Sequence, residues 1–205
     1  MIMTNRELIT SIIEKLDYIK PDTIPNIDLY MDQVTTFMDS NLARSKRYDS
    51  DKILTKTMIN NYAKNDLLPP PFKKKYSKEH LLVLIFIYYL KNILSINDIQ
   101  TLLSPLTEKY FTAADGLSLE DIYETVFELE EKQVKSLAKD VISKYEQASQ
   151  VFTGEDEEDR EFLQTFSFIC MLAFDVYMKK QMIENMIDEL KLKSESKNPH
   201  AGKKK

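Results

Sequence analysis

Residues 56–65 combine side chains that can bind both phosphates and base edges. At 100° per residue in a helix, about 140° of arc would hold five polar side chains: Lys56, Thr57, Asn60, Asn61 and Lys64. Asparagine can form two hydrogen bonds to adenine, and lysine contacts phosphate or guanine. The other arc carries side chains suited to packing: Met58, Ile59, Tyr62 and Ala63. The pattern predicts a short helix that could enter the major groove of DNA, or else an ordinary amphipathic helix.

A lysine-rich stretch follows this helix. Three prolines at 69–71 predict a stiff, extended segment. It leads to three consecutive basic residues: Lys73, Lys74 and Lys75. Upstream, the polar stretch 43–53 predicts a loop with three more: Arg44, Lys46 and Arg47. Residues 44–80 carry 10 basic and 4 acidic side chains in a chain of net charge −5, which predicts an anion-binding surface or, alternatively, a solvated charged face.

Capping motifs and apolar spacing predict the helices that would position these residues. One helix is expected at about 28–42 and another at about 78–93. Caps are expected at five helix starts: Thr4 with Glu7, Thr55, Ser77, Ser95 with Asp98, and Ser118 with Asp121. Residues 81–90 are wholly apolar or aromatic. Ten residues are too few to cross a bilayer, which takes about 20, so this segment is expected to be the central helix of a core, with a strand as the alternative.

The last third of the chain predicts two long helices separated near Gly154. On the first, apolar side chains recur every three or four residues: Leu119, Ile122, Val126, Leu129, Leu137, Val141 and Tyr145. The second has a similar stripe: Phe162, Phe166, Ile169, Ala173, Val176, Ile183, Ile187 and Leu190. An antiparallel hairpin is expected. Further apolar residues lie off the second stripe, among them Phe168, Met171 and Leu172. They predict packing on the head or on a second copy of the chain, and a homodimer is favoured; a membrane span over 162–178 is the competing interpretation.

The composition argues against an enzyme. Three Gly, one Cys and two His leave no glycine-rich phosphate loop, cysteine-based zinc site or nucleophile–base pair, so no catalytic residue, metal or cofactor is expected. Cys170 is expected to be buried in its apolar helix, and His80 to have a local polar role at a helix start. The acidic run 155–161 is expected to be the solvated first turn of a helix rather than a metal site. The first residues, MIMTNRELIT, do not resemble a secretory signal, which favours a cytoplasmic location.

Three motifs, in order, resemble the DNA-binding head of the MerR family. The stretch Thr55-Lys-Thr-Met-Ile-Asn-Asn-Tyr-Ala-Lys-Asn-Asp-Leu-Leu-Pro-Pro70 is similar to the short helix of that family, which ends in Gly-Leu-Leu-x-Pro. Tyr76-Ser-Lys-Glu-His-Leu81 resembles its Tyr-Ser-x-x-Asp-Leu after the wing. Leu94-Ser-Ile-Asn-Asp-Ile99 resembles its Phe-Ser-Leu-x-x-Ile. The resemblance implies a winged helix-turn-helix over residues 24–103.

Two stretches, 24–33 and 53–76, resemble more closely an uncharacterised bacterial domain family of unknown function with a MerR-like head. The chain differs from the MerR pattern in three places. Asn60 and Asn61 stand where MerR proteins have Arg-Tyr, the wing is short, and Asp66 replaces a glycine. Asp66 is therefore expected to take a left-handed conformation at the helix end.

Together these features predict an all-α fold, with a MerR-like winged helix-turn-helix head followed by a long helical hairpin. The expected organisation is an N-terminal helix (1–23), the head (24–103), a helical dimerisation or regulatory region (104–192) and a disordered basic tail (193–205). The expected function is that of a transcription regulator which binds double-stranded DNA as a cytoplasmic homodimer, without a membrane partner. The alternative is a protein–protein interaction module with a vestigial winged-helix head that does not bind DNA.

Overall fold

The computed structural model describes residues 5–14, 19–112 and 115–197. Within these ranges the chain is mostly helical, with seven α-helices: α1 (Asn5–Glu14), α2 (Met31–Leu42), α3 (Lys56–Lys64), α4 (Lys78–Leu90), α5 (Ile96–Tyr110), α6 (Leu119–Ala148) and α7 (Glu157–Lys197). Two short antiparallel strands accompany them: β1 (Leu29–Tyr30) and β2 (Lys75–Tyr76). The prediction of a mainly helical fold is confirmed, and the small sheet is an addition to it.

The chain divides into two compact units. The first, here the core unit, comprises Tyr18–Val126 and Ile183–Lys205. The second, here the hairpin unit, comprises Met1–Asp17 and Phe127–Met182. The two long helices therefore each contribute to both units.

Helix α4 lies at the centre of the core unit. Leu81, Leu82, Leu84, Ile85 and Ile87 are each 0% exposed. Burying a leucine or isoleucine side chain completely stabilises the folded state by about 1.5–3 kcal/mol. The helix packs against α5 and β2. The prediction of a central helix over the apolar run is confirmed, although the helix ends at Leu90.

Local capping bonds set the helix starts much as the sequence predicts. The Oγ of Ser95 accepts a bond from the Asp98 backbone N–H at 3.2 Å, and Ser118 and Asp121 repeat this arrangement at 3.1 Å. In each pair the carboxylate accepts a bond from the serine backbone N–H in return, so each cap satisfies two helix-end donors. The cap predicted at Thr4 lies outside the described residues.

Two contacts attach the start of α6 to the rest of the core unit. The fully buried Tyr123 donates its hydroxyl to the carbonyl of Ile19 at 2.5 Å. Lys78, in the first turn of α4, binds Glu120 at 2.7 Å. Since α4 follows β2 directly, these contacts support the part of the chain that carries the candidate site.

The hairpin unit pairs α6 with α7 in antiparallel orientation. Its buried cluster comprises Ile9, Ala148 and Phe168. Further along, Lys144 binds Asp175 at 2.8 Å. The amide of Gln164 donates to the Ser149 carbonyl at 2.9 Å and the Val151 carbonyl at 2.8 Å, which closes the turn between the helices.

Within the hairpin unit, α7 buries a different face from the one that the sequence predicts. The stripe through Phe162, Phe166 and Ile169 is exposed. Phe168, with Met171 and Leu172, packs against α6 and α1 instead. Because α7 is apolar over much of its circumference, spacing alone did not determine which side α6 contacts.

The expected burial of Cys170 is also wrong. Its side chain is exposed, because it lies on the side of α7 away from Phe168, Met171 and Leu172. Helix α7 continues to Lys197, into the segment expected to be the basic tail, and residues 198–205 lie outside the described part of the chain. By length and composition alone, α7 could cross a membrane over Glu157–Ser194.

Candidate nucleic-acid interface

Helix α3 is oriented as its periodicity predicts. The Oγ1 of Thr55 accepts the backbone N–H of Met58 at 3.2 Å and begins the helix. Ile59 and Tyr62 are buried, and burial raises the pKa of the Tyr62 hydroxyl. The opposite face exposes all five polar residues singled out from the sequence: Lys56, Thr57, Asn60, Asn61 and Lys64. One face thus packs, and the other offers ammonium, hydroxyl and amide groups to solvent.

The end of α3 is fixed by backbone bonds and by a contact from α5. Asp66 has a φ of +55°, as expected from its place in the sequence. The carbonyl of Tyr62 accepts the N–H groups of Leu67 at 2.9 Å and Leu68 at 3.2 Å. The Gln100 amide, which the sequence analysis did not single out, donates to the Asn65 carbonyl at 3.1 Å. The polar face of α3 is therefore held by contacts at both ends of the helix.

The three consecutive lysines form a tight turn, here called the lysine turn (Phe72–Lys75). Lys73 and Lys74 have φ angles of +48° and +64°, and the Lys75 N–H donates to the Phe72 carbonyl at 2.9 Å. Positive φ at both central residues defines a type I′ turn, which usually contains Asn and Gly. The left-handed conformation costs a lysine about 1–2 kcal/mol, so the two exposed lysines of this turn have a strained backbone.

The lysine turn is joined to β1. Tyr30 pairs with Lys75 and Leu29 with Tyr76 across the two strands. Phe72 also forms a bridge with Lys75. Leu29 and Tyr76 are buried, whereas Tyr30 and Phe72 are exposed. Tyr30 and Phe72 were not predicted as site residues, because two-residue strands are too short to show an alternating pattern.

An exposed ion pair links the start of α3 to the start of α2, beside this small sheet. Lys56 binds Asp32, which follows Tyr30 by two residues at the start of α2. Helix α2 packs against α3 and against both strands. The sequence predicts three groups of DNA-binding residues: on α3, in the lysine turn and in the loop after α2. The structure brings the first two groups together around α2.

The third predicted group, in the loop after α2, makes contacts of its own. Lys46 binds Asp39 at 2.7 Å and its side chain is only 17% exposed. The Arg47 guanidinium lies 5.2 Å from the centre of the Tyr48 ring, while Arg44 is exposed. The Lys46 ammonium group is therefore held in an ion pair with Asp39. Arg44 and Arg47 are exposed and are the more accessible cations of the loop.

His80 anchors the exit from β2, in line with the local polar role expected from its position. Its Nδ1 accepts the Ser77 N–H at 2.9 Å. The ring packs edge-on against Tyr76 and Phe111, with centroids 5.4 and 4.7 Å away. Burial lowers the pKa of His80, partly offset by the Pro69 and Pro70 carbonyls and by the Glu79 and Asp28 carboxylates. The neutral imidazole thus serves as the acceptor of this cap.

The site offers groups suited to anion binding and hydrogen bonding. It presents lysine ammonium groups, asparagine amides and two exposed aromatic rings. Within residues 5–14, 19–112 and 115–197, no group of three or more His, Cys, Asp or Glu side chains could hold a metal ion.

Comparison with known proteins identifies the family of this region. No curated protein and no solved structure matches the chain. A family model described as a domain of unknown function (DUF1836) matches residues 19–127, which include the whole candidate site and more than half of the chain. The prediction of an uncharacterised family is thereby confirmed, and the chain belongs to the DUF1836 family.

Proposed function

We propose that this protein is a DNA-binding transcription regulator whose core unit acts as a MerR-like winged helix-turn-helix. In this proposal α2 and α3 form the helix-turn-helix, and the lysine turn is a short wing. The main support is that α2 packs against α3 and against both strands, because this packing brings α3 and the lysine turn to the same helix. A recognition helix and a wing must be neighbours if both are to contact one duplex.

The exposed side chains fit different parts of a duplex. Asn60 and Asn61 lie on the solvent face of α3 and can read base edges in the major groove. Lys64 at the end of that helix and Lys73 and Lys74 at the turn can neutralise phosphates. Asp32 opposes this attraction near Lys56, so it would limit non-specific affinity.

We further propose that the long helices form a homodimer. Many large apolar side chains of α7 are exposed in the single chain, among them Phe162, Phe166, Ile169, Phe174 and Met178. Dimerisation would bury such a surface. A membrane is a poorer occupant, because the Lys144–Asp175 ion pair and the Gln164 amide would be costly within a bilayer.

Salt-dependent DNA binding tests the proposal. We expect the logarithm of affinity for duplex DNA to fall against the logarithm of salt concentration with a slope of about −5, since roughly six phosphates would be neutralised. Replacing Lys73 and Lys74 with Glu should weaken binding by at least about tenfold and reduce the slope by about 2.

The matched control reverses two exposed charges of α6, Lys135→Glu and Lys139→Glu, and should leave affinity within about twofold. Size-exclusion chromatography should show the same dimer for all three proteins. A dimer that retains no DNA at low salt would contradict DNA binding and favour the protein-interaction module.

A further inference from the structure

The exposed face of the small sheet carries an aromatic–cation–aromatic row. Tyr30 and Phe72 each pair with Lys75, and residues directly opposite each other project from the same face of a sheet. Leu29 and Tyr76 occupy the other, buried face. Tyr30 is 54% exposed and Phe72 is 72% exposed, the highest value among the large apolar side chains of the described residues.

An ammonium group lies against each of these rings. The Lys75 Nζ is 5.4 Å from the centre of the Tyr30 ring, and the Lys73 Nζ is 5.1 Å from the centre of the Phe72 ring. A single exposed aromatic residue is ordinary. Two rings on either side of a lysine, with two more lysines at the adjoining turn, have the composition of surfaces that bind single-stranded nucleic acids.

The spacing of the rings defines what each could bind. Two strand spacings of about 4.8 Å separate Tyr30 from Phe72 across Lys75, which is too far for both rings to enclose one base. Each ring can instead stack on a base of its own, while the lysines contact the intervening phosphates. In an intact duplex the base faces are covered by their neighbours, so this stacking requires unpaired bases.

We propose that the Tyr30–Lys75–Phe72 row stacks unpaired nucleobases, so that the protein prefers DNA with a locally melted segment to an intact duplex. This inference rests on the proposed DNA-binding function and specifies its partner. An apolar protein surface is a poorer fit, because Lys73, Lys74 and Lys75 would lose hydration without gaining a counter-charge.

The first test compares the affinities of the full chain for two labelled probes by fluorescence anisotropy. One probe is a duplex of 30 base pairs, and the other is the same duplex with six central mismatches. We expect the mismatched probe to bind roughly tenfold more tightly, in line with the stacking of one or two bases. Phe72→Ala should lower the affinity for the mismatched probe more than that for the intact duplex, and so remove most of this preference. Ile27→Ala, a similarly exposed apolar control in the core unit, should leave the preference intact.

The second test uses tryptophan fluorescence, since the natural chain has no Trp. Phe72→Trp should retain the preference, and its emission should be quenched by the mismatched probe. Tyr177→Trp, on exposed α7, should show no such quenching.

The outcomes separate the two proposals. No binding to either probe at low salt overturns the DNA-binding function. Equal affinity for the two probes overturns only the stacking inference. Equal quenching of Phe72→Trp by both probes also overturns it, and would indicate a wedge inserted into intact duplex.

Discussion

The core unit buries α4 on every side, whereas the hairpin unit buries one side of α7 and exposes the others. Leu84 is fully buried in α4, which packs against α5 and β2. In the hairpin unit, Phe168 is covered by α6 and α1 while Phe166 and Ile169 remain exposed. These two helices thus differ in how many neighbouring elements cover their apolar side chains.

This difference in burial suits the two units to different functions. The buried apolar core of the core unit supports the strained lysine turn and the polar-faced helix α3. The hairpin unit retains exposed apolar surface that a second copy of the chain could cover. Four experiments test this contrast, in order of decreasing expected effect.

Truncating a leucine in each unit gives the largest expected difference. Leu84→Ala should lower the free energy of unfolding by about 2–5 kcal/mol, because it removes buried methyl groups and leaves a cavity. Leu129→Ala, on the exposed part of α6, should change it by less than about 0.5 kcal/mol. Urea denaturation below the dimerisation concentration measures both values. Similar losses for the two variants would show that the hairpin unit is covered as fully as the core unit.

Removing a tyrosine hydroxyl should have a smaller effect. Tyr123→Phe removes the bond to the Ile19 carbonyl and should cost about 1–2 kcal/mol, since a buried acceptor loses its partner. Tyr177→Phe, on the exposed surface of α7, should change the free energy of unfolding by less than about 0.5 kcal/mol. An equal free energy of unfolding for Tyr123→Phe and the natural chain would indicate that the Tyr123 hydrogen bond does not stabilise the start of α6.

Substitution by residues that suit positive φ angles should stabilise both units but lower DNA affinity only when made in the core unit. Lys73→Asn with Lys74→Gly should raise the free energy of unfolding by about 0.5–1 kcal/mol, because these residues suit a type I′ turn. Phe152→Gly relieves a φ of +58° in the loop between α6 and α7 in the same way. Duplex affinity should fall only for the lysine variant, and an equal fall for Phe152→Gly would dissociate the lysine turn from DNA binding.

The pH dependence of stability should also distinguish the units. Burial holds the pKa of His80 below its usual 6.5, so the stabilisation by neutral His80 is present above about pH 6.5 and is lost as pH falls below it. Hydrogen bonding to Lys144 lowers the pKa of Asp175 below 3.8, and that contribution is lost only below about pH 3.8.

Between pH 7.5 and 5, therefore, the contribution of His80 should change and that of Asp175 should not. Thermal unfolding should show a falling Tm for the natural chain and a flatter profile for His80→Gln, since glutamine can complete the same capping box without titrating. The same fall in both proteins would assign the pH response to other groups.

The accuracy of the sequence predictions follows the range of the interactions involved. The caps at Ser95 and Ser118, the orientation of α3 and the positive φ of Asp66 could be predicted because each depends on neighbours within about one helical turn. The burial of Cys170 and the contact face of α7 were mispredicted, since a helix that is apolar on several sides has no preferred contact face of its own.

Composition and local pattern, by themselves, determined a mostly helical chain with a central apolar helix, a polar-faced α3 and a basic stretch beside it. The ion pair between Lys56 and Asp32, and the sheet face shared by Tyr30, Lys75 and Phe72, depend on how the helices and strands pack together. Lys56 and Asp32 lie on different helices, and Tyr30 meets Lys75 through two strands of two residues each. Strands that short carry no alternation that a sequence could display, so their pairing emerges only when the surrounding helices pack.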